Sequence, residues 1–284
     1  MAEVNFNVIP YNDDFDPDKL FYKILFRPSY AVQARELTQI QSIIQNQIRS
    51  MGEHIFKDGS MVIPGTLTIN KEYEYVRLQS YSTSSITDLI GTNVTSSVSG
   101  IQALIINGVE AEDADPATLF VRYENQSNNL DSNNLYVKRF EPNEVLSGTT
   151  SAGVAITCQV EEKDLNEFIP VANQGSSVHI EEGVYFINGY FVKNSEQTVI
   201  LDKYFNFPSY RVGFQIQQSF INSFTESSLN DNATGTSNLN APGADRFSIS
   251  ITLVKKNIND FDDTDFVQIV QVENGVQENI INKV

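Results

Sequence analysis

The sequence predicts a mainly β protein with one long N-terminal α-helix, its strands gathered into several units of β-barrel or β-sandwich type. Three observations carry this. Short runs in which apolar and polar residues alternate recur from about residue 60 onward, as half-buried strands require. Asparagine and glycine punctuate them where hairpins would turn, as in "FING" (186–189) and "ENG" (273–275). A single stretch, "ARELTQIQSIIQNQIRSMG", keeps helical time instead.

The chain begins with weak alternation in "VNFNVIP" and then the turn cluster "YNDDFDPDK", so residues 1–27 read as an extended arm. Within it "LFYKILF" (20–26) is nearly all apolar and wants a partner on both faces. Pro28 biases Arg27 away from helical backbone, and the helix is expected to start just after it, capped by Ser29. Its apolar series is Leu37, Ile40, Ile44, Ile48, Met51 and Ile55, with steps of 3, 4, 4, 3 and 4. That spacing describes an ordinary amphipathic helix and not a strict heptad seam. Gly52 is expected to be a weak point and Gly59 the stop. The rest of the surface is unusual, because glutamines (Gln39, Gln41, Gln45, Gln47) stand where charges normally would.

Strands are expected in "SMVIPGTLTIN" and "YEYVRLQSY", completing a unit of residues 28–81 that pairs with residues 180–208 around the "FING" turn. Between them, residues 82–179 read as an inserted small β-barrel built from "SGIQALIING", "TLFVRYEN", "NNLYVKRF" and "GVAITCQVEE". The loop "NQSNNLDSNNL" and the segment "EDADPAT" look too polar to pack. Residues 209–284 form a C-terminal sandwich-like unit, with "YRVGFQIQQSF", "FSISITLVKK" and a hairpin at Asn274–Gly275. The apolar ending "ENIINKV" leads us to expect that this unit is incomplete and the native chain longer.

Composition narrows the function. With 19 Lys+Arg against 36 Asp+Glu, the net charge of −17 argues against nucleic acid, which is held chiefly by positive charge. The opening residues lack a secretory signal, and no apolar run is long enough to span a bilayer. We therefore expect folding in a cytosol, without membrane insertion. The one cysteine, Cys158, lies in an apolar run and reads as a buried strand thiol.

Chemistry is hard to place on this chain. It carries no HExxH, CxxC, GxSxG, P-loop or GxGxxG motif, and its two histidines, His54 and His179, read as structural or surface residues. The acidic clusters at Asp13, Asp14, Asp16 and Asp18 and at Asp260, Asp262, Asp263 and Asp265 lack the glycine and glutamate of a calcium loop and read as solvated turns. No cofactor, metal or catalytic residue is expected. Eighteen Phe and 12 Tyr without any Trp read as strand core, a composition that weakens a glycan-binding reading.

Residues 10–65 resemble a family of bacteriophage structural proteins found in T4-like marine and cyanobacterial myophages. The resemblance rests on Phe15–Asp16 with Lys19, Arg27–Pro28, "AVQAREL" with Gln39 and Gln41, and "HIFKDGS" (54–60). The stretches "EEGVYFINGYFV", "QTVILDKYFNFPSYRVGF" and "SSLNDNATGTSNLNAPGADRFSISITL" are similar to it as well, so it reaches most of residues 10–255. Within the insert, "LIGTNVTSSVSGIQALI" and "RFEPNEVLSG" resemble small barrels that decorate phage tail proteins. It implies a virion protein made in the host cytoplasm, a non-enzymatic component of a contractile tail baseplate: a wedge or fibre-attachment protein that binds other baseplate or tail-fibre proteins. The alternative is a receptor- or glycan-binding fibre module. Trimers are habitual in such proteins. The expected homotrimer would form through the arm and through Leu37, Ile40, Gln41, Ile44, Gln45, Ile48 and Met51, with Gln41 and Gln45 bonding along the seam. Polar loops at 124–134 and 228–245 are candidate rim contacts.

Overall fold

The computed structural model describes residues 4–130, 133–163 and 168–280. Over these residues the protein is mainly β, with one long helix, α1 (Ala34–Ile55), and three sheets.

After α1 the chain forms β1 (Ser60–Ile63) and the 15-residue β2 (Leu67–Tyr81). Five strands follow: β3 (Asn93–Ser96), β4 (Gln102–Val109), β5 (Ala117–Tyr123), β6 (Val145–Thr149) and β7 (Ala155–Val160). They pair in the order β2-β5-β4-β3-β6-β7, and β7 returns to β2 through Leu78 opposite Val160 and Tyr81 opposite Cys158. The ring is thus a closed six-stranded antiparallel barrel without a free edge. Inward residues follow the strand period of two: Ala103 and Ile105, Leu119 and Val121, Ile156, Cys158 and Val160, all buried.

The barrel's boundary runs through its strands. It takes in the C-terminal half of β2 and the start of the next strand, β8 (Ala172–Ile180), where Ala172 and the preceding Val171 meet its core. At Arg77 the partner of β2 changes: Val76 faces Ala172 of β8, whereas Leu78 faces Val160 of β7. Expected as a strand, "NNLYVKRF" instead makes only a single bridge from Tyr136 to Leu130 among the described residues. Its side chains close the barrel, with Phe140 buried against Tyr123 at 5.2 Å and Arg139 gripping the Glu74 carboxylate at 2.5 and 2.7 Å. The polar loop before it also packs, since Ser127 is buried and its hydroxyl donates to the Ser99 carbonyl at 2.7 Å.

Three further strands follow: β9 (Gly183–Ile187) and β10 (Tyr190–Asn194), which form a three-stranded sheet with β1, and β11 (Gln197–Asp202), which pairs with β8. β8 pairs with the first half of β2, Leu67 opposite Ile180, and β9 pairs with β1, Ser60 opposite Phe186. The β9–β10 hairpin turns on Asn188 and Gly189, whose φ values of 52° and 80° suit a type I′ turn. The remaining strands, β12 (Tyr210–Ile221), β13 (Arg246–Asn257), β14 (Phe266–Glu273) and β15 (Val276–Ile280), form a sheet in the order β13-β12-β14-β15. It does not make a sandwich by itself. Val212, Phe214, Leu253 and Val270 of this sheet share one core with Val178, Ile180, Tyr185 and Leu201 of β8, β9 and β11. The sandwich therefore has one layer from either side of residue 209, because a four-stranded sheet with a single apolar face must bury that face against another layer.

Candidate functional site

The helix begins later than Pro28 suggests. Ser29 sits in a left-handed turn at φ 66°, and the true cap is Gln33, whose backbone N–H donates to the Glu36 carboxylate at 2.8 Å. Gly52 does not interrupt α1. It lets the helix approach the β9–β10 hairpin, since a Cβ there would lie 2.4 Å from the Phe186 ring. The helix stops at Ile55, before Gly59, as Phe56 turns to pack between Phe186 at 5.8 Å and Phe191 at 6.0 Å.

What seats α1 on its own chain is largely polar. Gln45 Nε2 donates to the Gly189 carbonyl at 2.8 Å, which takes Gln45 away from any intermolecular seam. On a neighbouring face, Gln39 Nε2 donates to Asp14 at 2.5 Å, Arg35 pairs with Asp14 at 3.2 Å, and the Ser42 hydroxyl donates to the buried Asp13 carboxylate. Ile43, absent from the expected apolar series, is buried. The first acidic cluster is therefore in part a clasp between arm and helix.

The expected apolar series faces the opposite way. Leu37, Ile44, Ile48, Met51 and Ile55 keep between 40 % and 68 % of their surface exposed, while Ile40 is half-buried at the margin. At 100° per residue these five lie within about 60° of one another on the helix. Exposed Gln41 and Gln47 flank the stripe on its two sides. The four glutamines are thus divided in use: Gln39 and Gln45 hold the helix in place, and Gln41 and Gln47 border the uncovered stripe.

The arm adds to this surface. Phe6 packs on Phe220 and Phe247 at 5.9 and 5.1 Å, and the Tyr11 hydroxyl donates to Asp245 at 2.7 Å, so the first part of the arm is docked. After Asp14 the chain leaves the body. Leu20, which closes the short turn Pro17–Lys19 in a left-handed conformation, and Phe21, Tyr22, Leu25 and Phe26 in the unpaired stretch after it are between 50 % and 75 % exposed.

Elsewhere the polar groups have structural tasks. Arg211 binds Gln268 at 2.6 Å, Asp263 at 2.7 Å and the Asp260 carbonyl, which folds the second acidic cluster against the C-terminal sheet. His54 ends α1 exposed, and His179 Nδ1 lies 3.0 Å from the Thr198 hydroxyl. Burial pushes the Cys158 thiol up to about 11. Among the described residues no group of three His, Cys, Asp or Glu is arranged to hold a metal ion, and no helix is long and apolar enough to cross a membrane. The loop 228–245 is exposed for almost its whole length.

A family model described as a domain of unknown function (DUF4815) matches residues 9–83. The match takes in the undocked part of the arm, α1, β1 and all of β2, which places every element of the exposed apolar surface inside it. No curated protein and no solved structure matches the chain.

Proposed function

We propose that this chain is a non-enzymatic structural component of a contractile phage tail baseplate, a wedge or fibre-attachment protein. It assembles as a homotrimer through α1 and its N-terminal arm and presents its barrel and sandwich to other tail proteins. The observation that carries the assembly reading is the apolar stripe of α1, left uncovered by a fold that had a large β surface available to cover it. Five side chains, each about half exposed, stand to contribute on the order of 5 kcal/mol per chain when covered, before the costs of association. The uncharged Gln41 and Gln47 suit a contact where identical side chains meet around an axis. The tail assignment rests on the resemblance of residues 10–65 to phage structural proteins, which falls within the family match at 9–83.

Labelling intact virions with an antibody to the chain tests the assignment. Label confined to the baseplate is the expected result, and label absent from the virion would refute it. A glycan-array signal that survives removal of the α1 stripe would favour a receptor-binding fibre module instead.

A further inference from the structure

We infer that the arm is exchanged between copies: the apolar segment 20–26 of one chain lies along the α1 stripe of its neighbour. This rests on the assembly reading and specifies how the assembly is closed. Both surfaces are exposed in the same chain, and they match in length. Drawn out straight, seven residues reach about 23 Å at 3.3 Å each. The stripe from Leu37 to Ile55 spans about 27 Å at 1.5 Å per residue.

The way the arm is tethered favours a neighbour over the chain's own helix. Asp13 and Asp14 are held by Ser42, Gln39 and Arg35, and the chain re-enters at Ala34. Both ends of the loop 15–33 are thus fixed at the N-terminal end of α1, and the segment between them stands exposed instead of lying along the stripe. Lys23 and Arg27 are the only charged residues from 20 to 33, so the segment brings no acidic group to a neighbouring chain whose net charge is −17. Covering both surfaces removes on the order of 1,000 Å² per chain from water, which meets the roughly 800 Å² per partner of a stable interface.

Crosslinking of full-length chains tests the inference. Phe21→Cys and Ile48→Cys are made in separate chains, mixed, and treated with a bismaleimide of about 10 Å reach. Cys158 is buried and does not compete. Arm exchange predicts a mixed product of one Phe21→Cys and one Ile48→Cys chain, at several times the yield of either variant alone. Dominant Ile48→Cys homodimers without the mixed product would overturn exchange while leaving helix-mediated assembly standing. A monomeric mass with no intermolecular product would overturn both readings. In the double variant, a purely intrachain crosslink would show the arm lying on its own helix and overturn exchange. So would co-sedimentation of monomers with anionic lipid vesicles that is lost on changing Phe21, Leu25 and Phe26 to Ser, since the arm would then serve a membrane surface.

Discussion

At the scale of single residues, Gly52 shows how a substitution can be judged by its surroundings. In an exposed helix Gly→Ala gains about 1 kcal/mol of helix propensity. Here the added methyl would meet the Phe186 ring, so Gly52→Ala should lower stability by about 1–3 kcal/mol, read as a lower midpoint in denaturant. Glu144 is a second case. It is buried, its Oε2 accepts from the Ser99 hydroxyl at 3.1 Å, and Oε1 has no partner in the structure. Burial raises its pKa above 4.5, so the folded state holds its proton more tightly than the unfolded chain does. Stability should therefore fall as pH climbs from 4.5 through the raised value, and Glu144→Gln should remove that part of the fall. Melting curves of both proteins at pH 4 and pH 8 check the sign: equal slopes with pH would contradict it. Cys158 gives a simple probe of opening, since its buried thiol should react with a maleimide at pH 8 only as fast as the barrel unfolds.

At the scale of elements, the hairpin under α1 decides how the helix is presented. Gly189 holds φ 80°, and a Cβ there would come 2.6 Å from the Arg49 side chain. Gly189→Ala should cost about 1–2 kcal/mol and increase hydrogen exchange in α1 more than in the barrel, a pattern that mass spectrometry of peptides would resolve. The same elements show what was legible in the sequence. Strands with clean alternation, such as "YRVGFQIQQSF" and "FSISITLVKK", form as β12 and β13, and the expected turns at Asn188–Gly189 and Asn274–Gly275 form where those dipeptides stand, whereas Asn107–Gly108 runs inside β4. Short strands were harder to read. β3 and β6 are only four and five residues long and depend on barrel closure for their place, so neither showed in the pattern. "NNLYVKRF" alternates like a strand, but its alternation serves a plug and not a ladder. For α1, periodicity gave the apolar stripe correctly and could not say which side faced home. Ile43 and Gly52 do that work together with acids from a distant turn, contacts that a helical repeat does not encode.

At the scale of the whole molecule, β2 is the element that makes two cores behave as one body, because its first half belongs to the sandwich and its second to the barrel. The net charge of −17 opposes self-association at long range, and Lys23 and Arg27 soften that only locally. Salt shortens this repulsion to about 8 Å at 0.15 M while leaving apolar contact in place. Assembly driven by the stripe and arm should therefore tighten as sodium chloride rises from 20 to 200 mM in sedimentation runs, the reverse of what an ionic interface would do. The most direct test of the account is solution mass by light scattering, on the chain and on a variant carrying Ile44→Ser, Ile48→Ser and Met51→Ser. These three side chains are exposed, so the variant should still melt cooperatively and lose only the concentration-dependent stability that assembly adds. The account predicts about three chains for the parent and one for the variant. A parent that weighs a single chain, or a variant that stays assembled, would contradict it.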